Sequence, residues 1–174
     1  MSNLIVGNAI SLVAAVFLVL SALSQRVKTM HCFQLAESVF ILLSQLAFGY
    51  LGGAVTMLIA IVRGALVIFR KYTLGAMLIT VYLTFFMGLK FNTGGVVGVI
   101  PVFASTFYAI AVRYARKAWS YKLCLILNLA LWAIYAALIN DFVTCAVNFI
   151  SLILGAYSLI VSFYKKRFGR INKT

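Results

Sequence analysis

Residues 49–71 read GYLGGAVTMLIAIVRGALVIFRK. Gly49, Gly52 and Gly53 mark a tight turn. From Gly53 to Phe69 the chain is apolar except for one charge, Arg63, and the run closes on Arg70 and Lys71. A helix needs about 20 mostly apolar residues, at about 1.5 Å each, to cross a bilayer. A run of this kind, ended by paired cations, is expected to be a helix whose solvent is lipid.

The pattern repeats in both directions. Before the turn lie the apolar runs Leu4–Ser24 and Cys32–Leu51. After it come Leu74–Leu89, Val96–Val112, Leu123–Ile139 and Phe142–Tyr164, the last two split by Asn140 and Asp141. The expected fold class is therefore all-α: a polytopic membrane protein with seven transmembrane helices. Composition agrees, because 65% of the residues are hydrophobic and only 10% charged, with a mean hydropathy of +1.11. A soluble domain carries roughly 25% charged residues. The first run has no basic segment before it and is followed by Gln25 and Arg26. It is expected to be a mature helix rather than a cleaved signal, whose charge would come first.

The 15 Lys and Arg stand against 2 acids, a net charge of +13. In a soluble protein this would suggest nucleic acid. Here the cations cluster between apolar runs and no nucleic-acid motif is present, so lipid is the expected partner and nucleic acid is not. Arg26 and Lys28 follow the first run, and Arg70 and Lys71 the third. Arg113, Arg116, Lys117 and Lys122 surround the gap after the fifth, and Lys165, Lys166, Arg167, Arg170 and Lys173 fill the tail. The alternate gaps hold only Lys90 and Asp141. The positive-inside rule then predicts an outside N-terminus, a cytoplasmic C-terminus and contacts with anionic head groups.

An internal repeat is visible in the pattern. Sliding the chain by 91 residues lays Gly7 on Gly98, Arg26 on Lys117, Glu37 on Asn128 and Met57 on Asn148. The expected organisation is 3+1+3: a first helix trio over residues 1–71, a linker helix over 72–92, a second trio over 93–166 and a basic tail over 167–174. Helix four adds one crossing, so the trios face the same way. Parallel repeats of this kind build transporters with a midplane site between the halves.

The stretch Leu20–Gln34, the sequence Gly49-Tyr50-Leu51-Gly52-Gly53 and the sequence Ala60-Ile61-Val62-Arg63 resemble the bacterial inner-membrane YgjV family over nearly the whole chain. More distantly, the 3+1+3 plan is similar to the SWEET and SemiSWEET sugar transporters and the PnuC vitamin transporters. That resemblance implies a substrate cavity lined by a Trp on the second helix of a trio and an Asn on the third. Trp132 and Asn148 occupy such places, whereas Ile41 and Met57 stand at the matching positions of the first trio and the Pro-Gln motif is missing.

Polar residues inside apolar runs carry the remaining functional expectations. A charge at a helix centre costs about 2.5–3.5 kcal/mol on insertion scales. Glu37 and Arg63 are expected at similar depth on adjacent helices, as a structural ion pair or as a proton-coupling group with its modulator. Asn128, Trp132 and Tyr135 share one face of helix six and point inward, as interhelical glue or as a cavity wall. Asn148, Ser151, Gly155 and Ser158 form a small, polar stripe on helix seven, and Asn8, Ser11, Ser105 and Tyr108 add polarity to helices one and five. Pro101 is a candidate hinge or static kink. Gln34, Ser44 and Gln45 are weaker candidates. His31 is expected to be a solvated loop residue. Cys32, Cys124 and Cys145 are too few and too scattered for a disulfide framework or a zinc site.

The expected function is carriage of a small polar solute such as a sugar or vitamin-like compound. No cofactor or metal is expected, and a homo-oligomer is compatible with the sequence. One His and two acids are too few to assemble a catalytic cluster, so an enzyme is disfavoured. The alternative is a non-transporting assembly or binding subunit, or a lipid-handling protein.

Overall fold

The computed structural model describes residues 2–115 and 118–171, with side chains described for residues 3–115 and 119–161. Arg116, Lys117 and Lys173, three of the cations used above, lie outside the described residues. Seven helices follow one another: α1 (Ser2–Leu23), α2 (Val27–Phe48), α3 (Leu51–Ile68), α4 (Leu74–Lys90), α5 (Val99–Tyr114), α6 (Ala118–Leu138) and α7 (Phe142–Ile171). No strand occurs among the described residues. Five helices (all but α4 and α5) are long and apolar enough to cross a membrane; α4 and α5 have 17 and 16 residues.

The helices are longer than hydropathy suggested at the basic end. α2 starts at Val27 rather than Cys32, α6 at Ala118 rather than Leu123, and α7 runs on to Ile171 through residues expected in part as a tail. The moderately polar residues of these turns hide them from a hydropathy reading, yet nothing in them breaks a helix. Two consequences follow. Glu37 sits ten residues after the first residue of α2, near its middle. His31 is a buried helical residue, 5% exposed, and not a loop residue.

Two turns bring the repeat down to single hydrogen bonds. Gly49 ends α2 at φ 80° and Asn140 ends α6 at φ 60°, both left-handed. Adding 91 to 49 gives 140. Tyr50 N–H donates to the Gln45 carbonyl at 3.0 Å, and Asp141 N–H to the Ala136 carbonyl at 2.9 Å. Gly49 N–H reaches the Leu46 carbonyl, and Asn140 N–H the Ala137 carbonyl. Each pair differs by 91, so the same helix-ending motif closes both hairpins. Gly and Asn are the residues that accept a left-handed backbone most readily.

Packing closes a ring. Around it α1, α2, α3, α5, α6 and α7 each touch the next, and α7 returns to α1. α1 and α7 run parallel: Asn8 Oδ1 accepts from Val143 N–H at one end, and Gln25 Nε2 donates to Ser158 Oγ at the other. The linker helix α4 packs outside the ring on α3 and α5. Gly88 permits its approach, because a Cβ there would stand 2.7 Å from Val102 Cγ2 and 3.1 Å from Thr56 Cγ2. Just before α4, the loop residue Tyr72 donates to the Ala109 carbonyl at 3.0 Å and contacts Thr80 Oγ1, tying the α3–α4 connection to α5. Burial raises its pKa, against the pull of the Thr80 hydrogen bond and the Arg63 charge.

Large apolar side chains cover the outer surface, among them Ile5, Leu12, Ile79, Phe103 and Phe149. An apolar coat of this extent fits lipid and not water.

Candidate functional site

A cavity lies at the centre of the ring. All six ring helices wall it and α4 contributes nothing. The first trio supplies Glu37, Ser38 and Ile41 from α2 and Met57 and Arg63 from α3. The second supplies Ser105 and Tyr108 from α5, Asn128 and Trp132 from α6, and Thr144 and Asn148 from α7. The 91-residue displacement relates Glu37 to Asn128, Ile41 to Trp132 and Met57 to Asn148, so matching positions face one another across the ring with different chemistry.

Several of these groups have no protein partner. Asn128 Oδ1 and Thr144 Oγ1 are buried without a hydrogen bond among the described residues. The Asn148 amide, on a residue 2% exposed, makes none either, and the same holds for the Glu37 carboxylate. Buried polar atoms are ordinarily satisfied. The four named here line the cavity, from both trios; Thr106 Oγ1, Arg113 Nε and Ser151 Oγ are likewise open but lie off it.

The expected Glu37–Arg63 ion pair is not formed: no contact within 4.0 Å joins them. Arg63 turns instead to α5. Its Nη1 donates to the Ser105 carbonyl at 3.1 Å, and its guanidinium lies 5.0 Å from the centre of the Tyr108 ring. A carbonyl and an aromatic face hold the cation away from the acid.

Two sets of hydrogen bonds bracket the cavity, and both cross from trio to trio. Toward the end that carries Arg26 and Lys28, the hydroxyls of Tyr108 and Tyr121 converge on Gln34 Oε1 at 3.0 and 2.6 Å, and Tyr121 also meets His31 Nδ1 at 3.0 Å. Lys122, placed in a gap by hydropathy, is instead buried in α6 with its Nζ on Ser158 Oγ. At the opposite end, Tyr135 donates to Gln45 Oε1 at 2.8 Å and packs edge-on to Trp132 and Tyr50. Beside it Ser11 donates to Asp141 Oδ2 at 3.0 Å and meets Ser44 Oγ at 2.7 Å.

Of the substrate-site candidates, the cavity gathers Trp132, Asn128 and Asn148. Tyr135 is one turn beyond it, a closing residue rather than a wall. Ser151 is fully buried with an unpartnered hydroxyl but lies off the cavity. Pro101 is the third residue of α5, where a helix N–H needs no intrahelical partner. The Val97 carbonyl, which an N–H at 101 would reach, already accepts from Ile100 N–H at 3.2 Å. No mid-helix hinge arises there. Gln34, His31 and Tyr121 were undervalued or missed. The signal was available for Tyr121, which continues the Asn128 face by one further step of seven residues.

The chain is thus a polytopic all-α membrane protein whose polar cavity lies between two helix trios. It belongs to the family Imp-YgjV, described as bacterial inner membrane protein, which it matches over residues 5–167. No curated protein and no solved structure matches it.

Proposed function

We propose that the protein is a carrier, not an enzyme, for a small polar solute of the size of a sugar or vitamin, working by rocking of one helix trio against the other. The observation that supports this reading is the central cavity, walled by both trios, lined with unpartnered polar groups and bracketed by inter-trio hydrogen bonds. A cavity in this position is reached from either side by breaking one bracket while the other holds. The N-terminus is outside and the C-terminus cytoplasmic, which sets the cations of the α1–α2 and α3–α4 connections among anionic head groups. The distant resemblance of the 3+1+3 plan to that of SWEET-like carriers is in line with the same reading.

A thermal-shift screen of the purified protein, followed by uptake into liposomes, tests it. A binding solute raises apparent stability by mass action. Trp132→Ala and Asn148→Ala are each expected to weaken binding about tenfold, equivalent to about 1.4 kcal/mol. A ligand indifferent to both, or a purified protein that binds but moves nothing, would overturn the reading. A partner that copurifies in fixed ratio would instead favour an assembly subunit.

A further inference from the structure

From the open charges of the cavity we infer that its solute is a zwitterion with a planar apolar end: its ammonium meets Glu37, its carboxylate meets Arg63, and its ring lies against Trp132. This deepens the carrier reading and rests on it.

Glu37 and Arg63 stand on adjacent helices and both reach the cavity, yet they do not meet. Opposite charges within a poorly polarisable interior attract strongly, and each costs several kcal/mol to leave without a counter-charge. Arg63 is held by the Ser105 carbonyl and the Tyr108 ring, contacts that neutralise none of its charge. One of its five N–H donors is committed to Ser105, and the others remain for an anion. Glu37 accepts nothing among the described residues. A cation alone would compensate the acid and leave the arginine. An anion would do the reverse, and a sugar would compensate neither. A zwitterion compensates both and adds no net charge to the complex, so its passage carries no charge across the low-dielectric interior. Trp132 supplies an apolar surface on the opposite trio.

The test compares three probes that share a phenylethyl unit on the full-length protein in detergent: L-phenylalanine, phenethylamine and 3-phenylpropionate, with D-glucose as the uncharged probe. At millimolar concentration L-phenylalanine is expected to raise the melting temperature by several degrees, and the amine and the acid to leave it unchanged. Glu37→Gln and Arg63→Gln should each abolish the shift, and Arg63→Lys should restore part of it. The ranking of probes on the unmodified protein stands even where a variant fails to fold. Equal stabilisation by the amine or the acid overturns the inference, as does the absence of any shift with L-phenylalanine. If D-glucose alone binds, with the shift lost in Trp132→Ala, the zwitterion falls and the carrier survives. If no probe binds and no solute is taken up, both fall.

Discussion

Asp141 holds two helices with one carboxylate. It is the residue before α7, and its Oδ1 accepts from Thr144 N–H at 3.0 Å while its Oδ2 accepts from Ser11 of α1. The first contact is an N-cap, in which a short acceptor satisfies a helix N–H that has no partner in the turn below. The second reaches from one trio to the other. Asp141→Ala removes both and should cost about 1–2 kcal/mol, read as a lower unfolding midpoint in detergent. Asp141→Asn keeps a capping oxygen and should lose less than half as much. An unchanged midpoint in Asp141→Ala would mean that neither contact matters to stability. That Asp141 began a helix was legible from its place between two apolar runs. Its second partner, 130 residues earlier in the chain, was not.

α4 shows how an element finds its place without a conventional hydrophobic stripe. Its inward residues are Met77, Thr80, Thr84 and Gly88, mostly small, and its outward ones are large and apolar. In lipid the apolar side chains gain nothing by turning inward, so close backbone contact over small residues decides the docked face. Gly88→Leu should therefore displace α4 from α3 and α5, at about 1–3 kcal/mol as an overpacked contact. Gly88→Ala should be milder, and combining it with Val102→Ala should recover part of the loss, because Val102 is the side chain the new Cβ meets first. Strictly additive losses in the double variant would refute the contact. From sequence the helix was recognisable, but its inward face was not, since hydropathy ranks the lipid-facing side as the more apolar one.

At the scale of the molecule, seven helices carry the start of α1 and the end of α7 to opposite ends of the bundle, with α1 and α7 running parallel. Tags at the two termini are expected in different compartments, the N-terminal one accessible from outside intact cells and the C-terminal one only after lysis. Two tags reporting the same compartment would refute the orientation and the odd number of crossings. The same arrangement explains why the site is asymmetric. Two trios of like backbone enclose one volume, but Ile41 and Met57 face it from one trio where Trp132 and Asn148 face it from the other. A symmetric frame thus holds an unsymmetric set of contacts.

Long apolar runs and their alternating cations were sufficient, from the chain alone, for the solvent, the helix count, the 91-residue repeat and the inward face of α6. These follow from local physics: apolar length, turn residues and charge placement need no partner to be read. Which polar residues meet depended on the ring closing. Only that closure turned Arg63 to Ser105 and Tyr108 rather than to Glu37, set His31 against Tyr121, made Tyr135 a plug on Gln45, and took the hinge away from Pro101. A side chain's partner is set by which distant helix packs beside it, and helix packing in lipid follows the shapes of surfaces rather than the hydropathy along the chain.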